Sequence, residues 1–364
     1  MNYKVIGLMS GSSLDGLDVA AVQFQEQSGQ WSFSVIQSSC IPYPTEMKMQ
    51  LAQAVSLNAL DYLLLHTSFG HYMGAQVHSF IEQYGLDFQI QLIASHGHTV
   101  FHMPSQRMTA QIGDGAAIAA VTGIATISDL RAMDIALGGQ GAPIVPIGEK
   151  YLWPSYEMFL NIGGIANISM QMGTDYVAFD ICAANRVLNM LIATAGMEYD
   201  DRGAMARKGK LSVELMARLN ELSYYKNPYP KSLANDFGTD TVLPLIQSFN
   251  ISLEDKLHTY VLHMAYQIAT AAASLKLKSA DPEKPVTLLV TGGGAHHDFL
   301  IEQLQIALKP SGITIDVPEE AIVNYKEAIV MAFIGLLRWR ETNNVLASVT
   351  GAKRDSVGGA VWLG

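Results

Sequence analysis

The chain has 364 residues, of which 49% are hydrophobic and 15% charged, so it is long enough to bury two substantial cores. Its net charge is −10 and its pI is near 5.4. This balance argues against nucleic acid or an anionic membrane as a partner, because both are bound by clustered lysine and arginine. With only Cys40 and Cys182, no evident signal peptide and no membrane-spanning apolar run, we expect a cytoplasmic protein without disulfides.

The first half begins with a predicted hairpin, whose strands cover residues 3–8 and 17–24. The turn between them is rich in glycine and serine, whose small side chains let backbone N–H groups approach an anionic ligand. The same residues suit an ordinary turn, so both interpretations stay open at this point. The other elements predicted in this half are a strand at 31–38, a helical region at 45–84, a strand at 90–94, a helix at 114–121 and a strand at 124–128.

Residues 138–146 contain three glycines and two prolines, which break regular structure and mark the predicted domain boundary. The order then repeats, with strands at 157–162, 166–172 and 175–180, helices at 185–195 and over much of 205–275, a strand at 286–291, a helix at 297–308, a strand at 313–317 and a helix at 327–340. The repeated order predicts two similar α/β domains with a ligand cleft between them, formed by 1–137 plus about 345–364, and by 138–344.

Three glycine-rich turns each follow an apolar strand. They are Ser10-Gly11-Ser12, Gly163-Gly164 and Gly292-Gly293-Gly294. The chain has no GxxxxGK[ST] loop and no GxGxxG motif between a strand and a helix, so phosphate binding would fall to these turns and to helix N-termini. Three such turns, two of them at matching positions of the two halves, favour a bound nucleotide over plain turns.

Asp180 ends the predicted strand at 175–180. An acid at the carboxyl end of an apolar strand faces the ligand crevice of an α/β sheet. Such a carboxylate can serve as a general base or hold Mg²⁺ through water, and the alternative is a helix-capping or solvent-facing carboxylate. Asp15 is the matching acid in the first half.

Three histidines, His96, His98 and His102, follow the predicted strand at 90–94. A His-x-His pair can bind a metal, but such a site needs further ligands, and the remaining histidines show no second ligand spacing. We therefore favour hydrogen-bonding or substrate-lining roles for these histidines and predict no metal site built by the protein alone.

Longer motifs resemble one family. The segment GLMSGSSLDGLD (7–18) is similar to the signature of the anhydro-N-acetylmuramic acid kinases, which belong to the sugar kinase, actin and Hsp70 superfamily. The resemblance runs nearly end to end, through SHGHTVFHMP (95–104), QIGDGAAIA (111–119), DLRAMDIALGGQGAPIVP (129–146), NIGGIANIS (161–169), VTGGGAHHDFL (290–300), KEA (326–328) and VTGA (349–352). It implies two ribonuclease-H-like domains of the actin-like ATPase fold, with the nucleotide in the interdomain cleft.

The resemblance also implies an activity. The family uses ATP and Mg²⁺ to open the 1,6-anhydro ring of anhydro-N-acetylmuramic acid with water and to phosphorylate O6, giving N-acetylmuramate 6-phosphate for peptidoglycan recycling. The catalytic base corresponds to Asp180. The predicted substrate-binding residues are His96, Thr99, Arg131 and Glu327. With the turns above, the predicted nucleotide-binding set is Ser10, Gly11, Ser12, Ser13, Leu14, Asp15, Gly16, Leu17, Asp18, Gly163, Gly164, Gly292, Gly293 and Gly294.

Three segments depart from the family pattern. Residues 181–185 are ICAAN in place of Thr-Gly-Pro-Gly-Asn, residues 229–236 are YPKSLAND in place of Pro-Pro-Lys-Ser-Thr-Gly-Arg-Glu, and His98 stands where the family has glutamine. These changes leave open a kinase for another amino sugar or a catalytically impaired relative. More distant alternatives are a metal hydrolase and a chaperone-like module, for which the length leaves no peptide-binding domain. A homodimer is also left open.

Overall fold

The computed structural model describes residues 1–11, 13–173, 175–229, 231–233, 236–279 and 281–364. Two compact units divide the chain, Met1–Pro154 with Tyr325–Gly364, and Ser155–Asn324. The sequence places the boundaries at 137/138 and near 344/345 instead. Residues 138–154 pack in the first unit, because the Trp153 ring meets Phe33 edge-on at 5.1 Å between centroids. Among the described residues, no helix is long and apolar enough to cross a membrane.

The described part of the chain contains twelve strands and thirteen α-helices. The strands are β1 Asn2–Ser10, β2 Gly16–Gln27, β3 Gln30–Pro42, β4 Leu92–Met103, β5 Met108–Ile112, β6 Thr126–Ser128, β7 Met158–Ile162, β8 Ile165–Met172, β9 Asp175–Ala183, β10 Val286–Thr291, β11 Ile313–Asp316 and β12 Ala360–Trp362. The helices are α1 Thr45–Gln53, α2 Ala59–Gln83, α3 Gly115–Thr122, α4 Ala132–Ala136, α5 Pro146–Leu152, α6 Asn185–Ile192, α7 Val213–Asn220, α8 Ser223–Lys226, α9 Leu243–Gln247, α10 Leu253–Leu277, α11 Asp298–Leu308, α12 Glu320–Trp339 and α13 Ala347–Thr350.

The first unit is built on a seven-stranded mixed sheet with the order β12-β6-β4-β1-β2-β3, and β5 pairs with β4. β1, β4 and β6 run parallel, so their carboxyl ends share one edge. Ile6 and Leu8 of β1 point to a core that includes Phe69 of α2. Gly7 points to the opposite face, where a Cβ would collide with the Ala328 carbonyl of α12, so only glycine permits this close approach.

The second unit is built on a five-stranded mixed sheet with the order β11-β10-β7-β8-β9. β7, β10 and β11 are parallel, and β9 runs in the same direction because β8 is antiparallel to both β7 and β9. The sheet packs against α10, whose Tyr260 is fully buried. The carboxyl ends of β7, β9 and β10 therefore lie at one edge of this sheet. The two mixed sheets confirm the predicted α/β fold class.

The structure differs from the predicted elements at several points. The first sheet has seven strands rather than five, because the hairpin strand β5 and the C-terminal strand β12 were not predicted. β4 continues well beyond the predicted end at residue 94, since its pairing with β5 carries the histidine segment into the sheet. The helical region at 45–84 divides at Asn58, whose side chain accepts a hydrogen bond from Asp61 N at 3.0 Å and caps α2.

Candidate active site

The 10–18 loop, as we call this segment, comprises the end of β1, the connection at 11–15 and the start of β2 in the first unit. Leu14 has a left-handed backbone (φ 60°), and its N–H donates to the Gly11 carbonyl at 3.4 Å. Gly16 is required by packing, since a Cβ there would lie 2.5 Å from the Ile41 carbonyl oxygen. Ser12 lies outside the described residues. Five predicted residues of this segment are exposed or half-buried, namely Gly11, Ser13, Leu14, Asp15 and Asp18.

Three other predicted residues, Ser10, Gly16 and Leu17, are enclosed by the protein. Leu17 is fully buried, so the protein itself shields this predicted nucleotide contact. Ser10 is 3% exposed, and its Oγ accepts a hydrogen bond from Tyr43 Oη at 2.7 Å and lies 3.0 Å from His98 Nδ1. The Ser10 side chain therefore ties the end of β1 to β4 and to the segment that follows β3.

Asp18 lies within electrostatic reach of two other carboxylates of the first unit. Burial raises the pKa of Asp18 to about 6, the thiol of Cys40 opposes this shift with a hydrogen bond, and the negative charges of Glu327 and Asp15 add to it. Burial also raises the pKa of Glu327, and the charge of Arg131 lowers it. Concentrated negative charge of this kind is relieved when a cation binds beside it.

Arg131 and His96 form a fixed pair at the same edge of the first sheet. Arg131 Nε donates to His96 Nε2 at 2.8 Å, and its Nη1 donates to the Gly141 carbonyl. Because Nε2 accepts, the proton of the neutral imidazole lies on Nδ1, which donates to the Gly97 carbonyl at 2.9 Å. Burial and the charge of Arg131 lower the pKa of His96 to about 3. Thr99, on the same strand, is exposed, and its hydroxyl accepts from Gln111.

This arrangement bears on the metal-hydrolase alternative. Both ring nitrogens of His96 are engaged, one by a guanidinium and one by a backbone carbonyl. A metal would have to displace the cationic Arg131 to reach Nε2. Within the described residues, no group of three or more histidine, cysteine, aspartate or glutamate side chains is arranged to hold a metal. The geometry therefore favours the hydrogen-bonding role for His96.

In the second unit, two glycine turns meet at one asparagine. The turn Gly163-Gly164 follows β7, and Gly292-Gly293-Gly294 follows the adjacent parallel strand β10. Asn185, the first residue of α6, donates from its backbone N–H to the Gly163 carbonyl at 3.1 Å and from its side chain to the Ile162 carbonyl at 3.0 Å. Its Nδ2 would lie 3.5 Å from a Cβ on Gly293. The sequence did not assign Asn185 to the site.

Four glycines are not explained by the backbone or by packing. Most of the 31 glycines either have a positive φ or leave no room for a Cβ, which would come within 3.4 Å of another atom. The exceptions are Gly11, Gly163, Gly164 and Gly293. All four lie in the turns that the sequence assigns to nucleotide binding. Gly292 and Gly294 of the same turns are required by the fold, since Gly292 has φ 82° and a Cβ on Gly294 would collide with Ile162.

Asp180 lies on β9, three residues before the strand ends at Ala183, whereas the sequence predicted that Asp180 ends the strand. Its Oδ2 accepts a hydrogen bond from Leu233 N at 2.9 Å, and its carbonyl accepts one from Tyr224 Oη at 2.6 Å. Burial raises the pKa of the Asp180 carboxyl, and the Leu233 N–H opposes this shift. Oδ1 has no hydrogen-bond partner among the described residues. Asp180 is thus a fixed carboxylate with one oxygen available, and sequence reasoning missed the two residues that hold it.

The segments that depart from the family pattern lie around Asp180. Residues 181–184 are all nearly or fully buried, so their side chains fill the core of the second unit. Ala184 N donates to the Gly164 carbonyl at 2.8 Å, which ties the end of β9 to the first glycine turn. In the second segment, Lys231 donates to the Tyr224 carbonyl at 3.3 Å. Three residues of that segment lie outside the described residues, namely Pro230, Ala234 and Asn235.

Comparison with known proteins gives one family. The family model of anhydro-N-acetylmuramic acid kinase matches residues 3–364. The enzyme of that name from Coxiella burnetii (strain Dugway 5J108-111) is 31% identical over 99% of this chain and 98% of its own length. The one from Hydrogenovibrio crunogenus is 34% identical over 98% of this chain and 97% of its own length. Among solved structures, the activator of 2-hydroxyisocaproyl-CoA dehydratase from Clostridium difficile with bound ADPNP aligns over 93% of this chain and 96% of that chain at 13% identity, with a TM-score of 0.46.

Proposed function

We propose a reaction and a set of roles from the premise that the chain belongs to the anhydro-N-acetylmuramic acid kinase family. As a kinase of that family it is an ATP-dependent phosphotransferase. In the proposed reaction, water attacks the anomeric carbon of the anhydro sugar, the bond from that carbon to O6 breaks, and O6 accepts the γ-phosphoryl group of ATP. The product would be N-acetylmuramate 6-phosphate, an intermediate of peptidoglycan recycling.

The observation that carries the nucleotide assignment is the set of four unexplained glycines. The protein itself would accept a Cβ at Gly11, Gly163, Gly164 and Gly293, so its own backbone gives no reason for glycine there. A bound polyphosphate would explain glycine at these positions, because backbone N–H groups can reach phosphoryl oxygens only where no side chain intervenes. In this assignment the first-unit loop and the turn at 163–164 contact phosphates, and the turn at 292–294 contacts the adenosine.

Asp180 is the proposed general base. Its carboxylate is held by Leu233 N, and its raised pKa moves it towards the range in which a carboxylate removes a proton effectively at neutral pH. It would take a proton from the attacking water while the leaving O6 becomes the phosphoryl acceptor. General-base assistance of this kind is typically worth about 10²–10⁴ in rate.

The Asp180→Asn variant tests this role. The amide keeps the size of the side chain and can still accept the Leu233 N–H, so we expect a folded protein that binds ATP but turns over at least about 100-fold more slowly. The matched control is Glu214→Gln, which neutralises an exposed carboxylate of the same unit and should leave kcat unchanged. An Asp180→Asn variant within a few-fold of the wild-type kcat would reject Asp180 as the base.

Mg²⁺ fits the carboxylates of the first unit. Asp18, with its raised pKa, and the neighbouring Asp15 provide the carboxylate oxygens that Mg²⁺ prefers, and the charge of Glu327 adds to the negative potential around Asp18. Since the described residues hold no preassembled cluster of three or more metal ligands, ATP phosphates and water would complete the coordination. When bound, the ion would offset negative charge on the phosphoryl oxygens. His96, Thr99, Arg131 and Glu327 remain the proposed contacts to the sugar.

A further inference from the structure

His98 belongs to a buried chain of three polar side chains that the proposed roles above do not use. Tyr43 Oη donates to Ser10 Oγ at 2.7 Å, and Ser10 Oγ lies 3.0 Å from His98 Nδ1. Tyr43 and His98 are each 7% exposed and Ser10 is 3% exposed. With so little access to water, the hydroxyl hydrogens of Tyr43 and Ser10 must find their acceptors within the chain.

Counting hydrogens fixes the tautomer of His98. The Tyr43 phenol keeps its proton, because burial raises its pKa, and it donates the hydrogen bond to Ser10 Oγ. Ser10 has one hydrogen left, and His98 Nδ1 is its acceptor if the imidazole proton lies on Nε2. The other tautomer would leave the Ser10 hydroxyl hydrogen without an acceptor in a buried site, which is the costlier arrangement. Burial lowers the pKa of His98, and a hydrogen bond with the Ser10 backbone opposes this shift, so the net lowering favours the neutral ring.

The Nε2–H group of His98 ends this chain. It has no hydrogen-bond partner among the described residues, and it is not among the fully enclosed unpaired atoms, which are Tyr225 Oη, His263 Nε2, His297 Nε2 and Ser356 Oγ. Nε2 is therefore an accessible donor. It lies on β4 between the proposed sugar contacts His96 and Thr99, and residue 98 pairs in register with Ser10, where the proposed phosphate loop begins.

We infer that His98 is a further substrate-binding residue, which donates a hydrogen bond from Nε2–H to a substrate oxygen and is held in the donor tautomer by Tyr43 and Ser10. This rests on the proposed function. A chain of hydrogen bonds that all point the same way polarises its last donor, so Nε2–H suits an electron-rich oxygen. The acceptor is a phosphoryl oxygen of the nucleotide or an oxygen of the sugar, and the position beside the 10–18 loop favours the phosphoryl oxygen.

Three variants separate this role from simple packing. His98→Leu removes both ring nitrogens, whereas His98→Gln supplies an oxygen that accepts from Ser10 and an amide that donates outward. We expect His98→Leu to raise the KM for one substrate about tenfold and His98→Gln to restore it to within about twofold. Tyr43→Phe should give an intermediate loss. His71→Leu, on the exposed face of α2, is the matched control and should change neither KM.

A spectroscopic measurement decides between the sources of the oxygen. In the ¹⁵N-histidine-labelled protein, the His98 ring should show an unprotonated Nδ1 and a protonated Nε2, and the Nε2–H signal should shift on saturation with its ligand. A shift with a non-hydrolysable ATP analogue identifies a phosphoryl oxygen, and a shift with anhydro-N-acetylmuramic acid alone identifies a sugar oxygen. If both ligands bind by calorimetry but neither moves the signal, or if Nδ1 is protonated, the inference is wrong and the proposed function stands. If neither ligand binds, both fall.

Discussion

The substitution Gly293→Ala separates what the fold needs from what a ligand needs. The nearest atom to the added Cβ would be Asn185 Nδ2 at 3.5 Å, an ordinary van der Waals contact, and φ lies outside the left-handed region. Its neighbour Gly294 differs, because a Cβ there would collide with Ile162. The two substitutions add the same methyl group to the same turn, so each is the control for the other.

The two substitutions should change the free energy of unfolding in opposite directions. Gly293→Ala removes conformational freedom from the unfolded chain without native strain, which should stabilise the protein by about 0.4–1 kcal/mol. Gly294→Ala forces an extra methyl into a packed position, which typically costs about 1–3 kcal/mol. Because 1 kcal/mol shifts Tm by roughly 2–4 °C in units of this size, the Tm should rise by up to about 4 °C in the first variant and fall by several degrees in the second.

Gly293→Ala should weaken ATP binding without lowering the stability of the protein. If adenosine approaches residue 293, the methyl group added by Gly293→Ala should obstruct the nucleotide and raise the KM for ATP roughly tenfold, although the variant is no less stable than the wild type. Thermal denaturation and ATP titrations on the two variants and the wild type measure both quantities. A Gly293→Ala protein with the wild-type Tm or higher and an unchanged KM for ATP would refute the assignment of adenosine to this turn.

Two further substitutions test the first unit. Between about pH 4 and pH 6 the folded wild type holds a proton on Asp18 that the unfolded chain releases, so its free energy of unfolding should fall as the pH rises through this window. Asp18→Asn should reduce that fall in urea denaturation without Mg²⁺, and an identical pH profile for both proteins would contradict the raised pKa. Lys326 and Glu149 form an ion pair at 2.5 Å with both side chains about 5% exposed or less. Lys326→Met should cost about 3–5 kcal/mol and the double variant Lys326→Met/Glu149→Met much less, and equal losses in the two proteins would show that the buried Glu149 charge without Lys326 is not the cause.

The sequence predicted the local parts of the fold well, and the candidate site residues that it proposed rest on local signals too. Apolar strands followed by glycine pairs are local signals, so the turns at 163–164 and 292–294 were found, and β7 and β10 agree with the predicted strands within two residues. Asp180 was identified because an acid ends an apolar stretch. Each of these inferences needs only neighbours in the chain.

The missed features depend on contacts between distant residues. Tyr224 and Leu233 hold Asp180 from 44 and 53 residues away, and no periodicity indicates such pairs. Asn185 reaches the glycine turns only because β7 and β10 are adjacent in the sheet. β4 was predicted too short because its second half is stabilised by pairing with β5, whose own pattern is weak. The tautomer of His98 likewise depends on Tyr43, 55 positions earlier in the chain (98 − 43).

The measurement that tests the central claim most directly is sugar-dependent release of ADP by the wild-type protein with ATP and Mg²⁺. The acceptors to compare are anhydro-N-acetylmuramic acid, N-acetylmuramic acid without the anhydro bridge, and other amino sugars in both forms. We expect the rate of ADP release to be much higher with anhydro-N-acetylmuramic acid than with any sugar that lacks the bridge. The product should be ring-opened and phosphorylated at O6. ADP release that is equal with and without the bridge, or that another amino sugar supports better, would contradict the proposed reaction.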